Sequence, residues 1–65
     1  MRLSEFWTGM DRRLGAGYAR SWAADQVLPQ LDGRTVVQAL ADGEDAKTVW
    51  RAVVAATATA AGSDR

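Results

Sequence analysis

Leu3, Trp7, Met10 and Leu14 recur at spacings of four, three and four, which stacks them along one side of an α-helix. This repeat constrains the chain most. An apolar stripe of helical period must bury against another element, and the rest of the sequence offers further helices to receive it. Phe6 flanks the stripe. Ser4 is placed to cap this first helix, with Glu5 favourable beside its positive end. Gly15 supplies a left-handed stop, and Arg12 and Arg13 suit the negative end. Gly9 in mid-helix costs about 1 kcal/mol against Ala, so the reading there is either a close backbone approach or a weak helix.

A second helix is predicted over 16–27, with Tyr18 and Trp22 four apart and Ala19 and Ala23 as a strip of small residues beside them. Pro29 ends it, because the residue before a proline avoids helical geometry. "LPQLDGR" then connects, with Asp32-Gly33 as its turn and Leu28 and Leu31 as apolar pins. Thr35 and Gln38 form a capping-box pattern. It opens a short third helix with Val36, Ala39 and Leu40 inward and Gly43 as its stop. Asp45 caps a fourth helix whose inner face is Val49, Val53 and Ala56, with Trp50 on the shoulder. The tail "TAAGSDR" loses periodicity and is expected to fray. No strand-like alternation and no internal repeat is visible. The predicted fold class is all-α: a single domain, a small bundle of three to four helices, compact over 1–58 with a tail over 59–65. The predicted core is Leu3, Trp7, Met10, Leu14, Tyr18, Trp22, Leu40, Val49 and Val53.

Composition decides what such a bundle can do. A chain of 65 residues buries only about 60% of its unfolded surface, so its stability margin is thin. Cysteine and histidine are both absent, which removes disulfides, thiolate nucleophiles, imidazole bases and nearly all zinc sites. A reducing cytoplasm fits this usage. With a single lysine as well, a nucleophile-base pair has few candidates, and no catalytic residue and no cofactor is expected. "GAGY" holds two glycines of a phosphate loop but lacks a preceding strand and a third glycine, so it reads as a helix-helix turn. Asp42, Glu44 and Asp45 lack the ordered oxygen spacing of a calcium loop, and no metal site is expected. They read instead as a helix cap and two solvated loop charges. So small a core leaves little room for the roughly 300 Å³ of a ligand cavity, so no small-molecule substrate is expected either. "MRLSEFWTGM" has a charge at Glu5 and no apolar core of a signal peptide. No apolar run approaches the roughly 20 residues of a membrane span, so the expected setting is cytoplasmic.

"TVVQALADGEDAKTVWRAV" asks for a closer reading. Ala39, Gly43 and Val49 match the spacing of a DNA-reading helix-turn-helix over 35–57: a small residue at the helix contact, glycine in the turn, an apolar residue locking the second helix. Lys47, Thr48 and Arg51, with Arg34, would then face DNA. Two features oppose this. Glu44 sits where such motifs usually bury an apolar side chain, and Asp42, Glu44 and Asp45 crowd the turn with negative charge. The formal charge of the whole chain is zero, eight basic against eight acidic residues, so no global excess drives phosphate binding. Any helix corner with a capped second helix produces the same spacing. Nucleic acid is therefore the disfavoured partner.

The segment 52–62, "AVVAATATAAG", carries no charge. With Val49 and Val53 inward, Val54, Ala55 and Ala58 fall toward the outside. This smooth face, with Trp50 at its margin, reads as a docking surface for a protein partner or for a second copy in a weak homodimer. Alanine is also an ordinary helix former that needs no partner to explain it.

Laid out in this way, the chain resembles a short actinobacterial family known as a domain of unknown function. The resemblance is carried by "MRLSEFW", "YARSWAADQVL" and "GRTVVQALADGEDAKTVWRAV", together spanning 1–53. Its specific parts are the opening "MRL-EFW" and the later "T-V--AL--G------VWRA". Similar sequences place proline where this chain has Ala46, and both residues suit a first helical position. The resemblance implies a small, cytoplasmic, helical protein with no activity to carry over. Its members tend to be encoded near the recombinase RecA and its regulator, which implies DNA-repair company and lifts the nucleic-acid reading slightly.

Overall fold

The computed structural model describes residues 1–62, with side-chain surroundings described through Ala58. Among these residues there are four α-helices: α1 (Leu3–Leu14), α2 (Ala19–Asp25), α3 (Val36–Ala41) and α4 (Ala46–Gly62). Between α2 and α3 lies a small antiparallel hairpin, β1 (Val27–Leu28) and β2 (Arg34–Thr35), joined through a 3-10 turn at Pro29–Leu31. The fold is thus mainly helical, a small single domain, but not purely all-α as the sequence suggested.

The hairpin follows from local chemistry. Pro29 forces the chain before it out of helical geometry, so α2 ends at Asp25 and Gln26 is already extended. Asp32 and Gly33 then adopt positive φ of 59° and 78°, which reverses the chain and sets Val27 opposite Thr35 and Leu28 opposite Arg34. Two-residue strands are too short to show alternation, which is why no strand was legible. The predicted start of α2 also moves. Residues 16–18 form a turn in which Tyr18 N and Ala19 N both donate to Gly15 O, at 3.0 and 2.9 Å. Gly15, at φ 97°, is the left-handed stop that α1 requires.

At the other end of α1 the cap lies two residues earlier than Ser4. Arg2 precedes the helix, and its N–H donates to Glu5 Oε1 at 2.9 Å. Ser4 contributes its carbonyl, which accepts from Thr8 Oγ1 at 3.0 Å. The expected tail over 59–65 lies beyond the described side chains, and its last three residues lie outside the described residues altogether.

The core comprises Phe6, Met10, Ala19, Ala23, Leu28, Leu31, Val36, Ala39, Val49, Ala52 and Val53. Met10, Val49 and Val53 are where the sequence placed them. Two expected members are not: Leu3 is 53% exposed and Tyr18 is 56% exposed. Tyr18 sits in the turn before α2, off that helix's inner face. On α1 the buried side is rotated from the Leu3 stripe toward Phe6, which is fully buried. Trp7, Leu14, Trp22 and Leu40 are half-buried and pack over the core as its rim. An indole is too large to be enclosed fully in so small a domain.

Gly9 explains the rotation. A Cβ there would lie 3.0 Å from Cη2 of Trp50, so the α1 glycine is a seat for the α4 indole. The sequence had offered a close backbone or a weak helix; the neighbour is a side chain. Phe6 stands between two tryptophans, edge-on to Trp7 at 5.2 Å and to Trp50 at 6.0 Å, the geometry aromatic quadrupoles favour. Arg20 of α2 covers Trp7 at 4.2 Å from the ring centroid. No polar side chain is buried among the described residues.

Candidate interaction surface

The corner between α3 and α4 is built from backbone groups first. Thr35 Oγ1 accepts from Gln38 N at 3.1 Å and opens α3. The reciprocal half of the expected box is absent: Gln38 Nε2 donates instead to Asp42 Oδ1 at 3.4 Å. At the helix end, Gly43 N donates to Leu40 O and Glu44 N to Ala39 O, each at 3.1 Å, with Gly43 at φ 94°. Asp45 then precedes α4, and its carbonyl accepts from Val49 N at 3.0 Å. Ala39 and Val49 are fully buried against each other's elements. The helix-turn-helix spacing of Ala39, Gly43 and Val49 is therefore met by a real corner.

The acids of that corner are not loose loop charges. Arg34 Nη1 pairs with Asp42 Oδ2 at 3.1 Å, Nη2 with Glu44 Oε2 at 2.8 Å, and Nε donates to Leu31 O at 2.8 Å. One guanidinium thus ties the hairpin to both sides of the turn, in the planar fork geometry that arginine alone supplies. The hydrogen bond to Glu44, then that to Asp42, raises the Arg34 pKa above its ordinary value. Glu44 occupies the position that a reading head fills with an apolar side chain, and here an ion pair holds it. Among the described residues, no group of three or more acids, histidines or cysteines could hold a metal ion.

The other nucleic-acid candidates, Lys47, Thr48 and Arg51, are exposed on α4, so Arg34 is separated from them by its engagement with the corner. Of the partner-binding candidates, Trp50 is half-buried with its ring on Gly9 and Phe6. Val54 is half-buried, and Ala55 and Ala58 are exposed. The sequence had divided these residues between two rival surfaces. They share one. At about 100° per residue, Lys47, Arg51, Val54 and Ala58 fall within an arc of about 60° on the side of α4 opposite the buried Val49, Ala52 and Val53. The spacing of four, three and four that marks the Leu3 stripe of α1 recurs here on the outside of α4.

At the far end of α4, Thr57 Oγ1 donates to Val53 O at 2.9 Å and accepts from Arg13 Nε at 2.5 Å, which fixes the helix to the end of α1. Two shallow depressions, both open to solvent, lie elsewhere. One is bordered by Ser4, Thr8, Gly9 and Arg12, the other by Val27, Gly33, Thr35 and Gln38. No helix is long and apolar enough to cross a membrane among the described residues.

Fold and surface together define a small, mainly helical domain whose ordered polar contacts are structural. A family model described as "Protein of unknown function (DUF3046)" matches residues 1–59, and the chain belongs to that family. No curated protein and no solved structure matches it.

Proposed function

We propose that this is a cytoplasmic, non-enzymatic domain that works by contact, docking a protein partner on the outer face of α4. The observation that carries this reading is the uncharged stretch 52–62, whose outward residues Val54 and Ala58 continue the stripe begun by Lys47 and Arg51. A solvated helix face ordinarily carries charge along its whole length. Trp50 supports the surface from beneath by holding α4 on α1, and Val54, Ala55 and Ala58 form the contact itself.

The alternative, a nucleic-acid accessory linked to DNA repair, would rest on Lys47, Thr48 and Arg51. With Arg34 engaged by Asp42 and Glu44, two cations remain on this face. Two phosphate contacts give a salt slope of about −1.8 and little affinity at physiological salt. Contact with protein is the better-supported reading. Sedimentation from micromolar to hundred-micromolar concentration, together with affinity capture by wild type and by Val54→Glu, tests it. A partner or a second copy that is lost with Val54→Glu is the expected result. A strict monomer whose captured proteins are indifferent to that substitution overturns it.

A further inference from the structure

We infer that the partner docked on α4 is an acidic amphipathic segment, which sets carboxylates against Lys47 and Arg51 and small apolar side chains against Val54 and Ala58. This rests on the contact reading above and adds the chemistry of the occupant.

Charge is segregated along the chain. The chain is neutral overall, yet 46–62 carries two basic residues, Lys47 and Arg51, and no acid. Elsewhere several cations are engaged: Arg34 by Asp42 and Glu44, Arg13 by Thr57, Arg20 by the Trp7 ring. Lys47 and Arg51 are exposed and make no ion pair or side-chain hydrogen bond among the described residues. Asp45, the nearest acid in sequence, stands at the start of α4 and does not pair with Lys47.

Asp45 precedes α4 and serves its positive end, but the first turn itself contains no acidic residue. Lys47 instead adds positive charge there. Carboxylates from outside would pair with both side chains, and charge-assisted contacts of this kind are the strong ones. Toward the C-terminal half the same stripe turns apolar at Val54 and Ala58. The small side chains allow close approach, over a stripe of about 16 Å from Lys47 to Ala58. A second copy that meets this stripe with its own lacks the matching charge, since the stripe carries no acid. Nucleic acid would answer the cations and leave the apolar half uncovered.

The test uses the full chain and three synthetic helical peptides that share one Leu/Ala stripe, flanked by Glu, by Gln or by Lys. Backbone amide shifts and tryptophan fluorescence report binding. The Glu peptide is expected to bind tightest, to shift amides along 47–58, and to weaken as salt rises. Lys47→Glu with Arg51→Glu should weaken it about tenfold and reverse the preference toward the Lys peptide. Both residues are exposed, and an unchanged melt verifies that the fold is kept. Equal binding of the three peptides, binding of none, or indifference to the charge reversal overturns the inference. If Val54→Glu or the more exposed Ala58→Glu still abolishes capture of a partner in those cases, the contact reading survives alone. If neither does, both readings fall. Salt-steep binding of duplex DNA through Lys47 and Arg51, or self-association that these reversals leave intact, also overturns it.

Discussion

Two of the contacts that hold helix α4 rest on different physics. Along α1 the contact is apolar and shape-dependent: Trp50 lies on Gly9, and Phe6 fills the space between Trp50 and Trp7. At the α3–α4 corner it is polar and local: a threonine cap, a left-handed glycine and one arginine on two acids. The first kind of contact scales with buried area and tolerates little change of volume. The second adds modest increments and depends on the solvent. Stability should therefore lie in the seam, and the shape of the corner in its polar groups.

The largest expected effect breaks the seam. Phe6→Ala removes a fully buried ring with aromatic partners on both sides, a change that costs about 3–5 kcal/mol. For a domain this small that approaches the entire margin, so the variant should lack a cooperative thermal transition by circular dichroism at room temperature. Trp22→Ala should be milder, because Trp22 is half-buried at the rim. A Phe6→Ala protein that melts sharply near the wild-type temperature would place the stability elsewhere.

The next effect separates volume from propensity. At Gly9 a single methyl would press on Trp50 at 3.0 Å, but Ala also gains about 1 kcal/mol of helix propensity, so Gly9→Ala should lie close to neutral. Gly9→Val brings more bulk with less of that gain and should destabilise by about 1–3 kcal/mol. Denaturant titration followed by tryptophan fluorescence measures both. Equal effects of Ala and Val would mean that the indole moves aside freely.

The seam and the corner were unequally legible in the sequence. The corner was nearly complete: Thr35 as cap, Gly43 as stop, Ala39 and Val49 inward all follow from local rules that act within a few residues. Its arginine was not, because Arg34 reaches acids eight and ten positions away and was read instead as a candidate for phosphate. The seam was readable as a helix but not as a contact. Periodicity pointed to the Leu3 stripe, whereas the partner, Trp50, lies 41 positions beyond Gly9, and only its ring explains why Phe6 and not Leu3 is buried. The hairpin escaped because Val27–Leu28 and Arg34–Thr35 are too short to show a period. On the outer face of α4, residue type separates Lys47 and Arg51 from Val54 and Ala58, and only their positions on the helix join them. Charge and apolarity point to rival partners when read residue by residue, and helical spacing sets them at two ends of one stripe.

At the corner, Thr35→Ala removes the acceptor of the Gln38 amide and should cost about 1 kcal/mol, the ordinary loss for such a cap. Gly9→Val and Thr35→Ala, compared by hydrogen exchange, should differ in reach. The first loosens α1 and α4 together, while the second confines its effect to α3. Global loss of protection in Thr35→Ala would show that the corner, too, belongs to the cooperative core.

Arg34→Met should have the smallest effect on stability and the most distinctive signature. The guanidinium is partly exposed, as are Asp42 and Glu44, and exposed ion pairs contribute little once solvent screens them. The methionine retains the apolar stem, so the change isolates the charge. At low salt the variant should melt below the wild type, and the gap should narrow as salt rises. Alkaline pH gives a second handle. Because its partners raise the Arg34 pKa, its stabilisation is fully present below the ordinary arginine value. It is lost only as pH rises through the raised one, so the gap should stay constant from neutral to mildly alkaline pH. Removing the cation also leaves Asp42 and Glu44 facing each other across the turn, close to Asp45. If the melting gap were independent of salt, Arg34 would be holding the corner through its hydrogen bond to Leu31 O rather than through charge, and the contrast between a packed seam and an electrostatic corner would fail at its polar end.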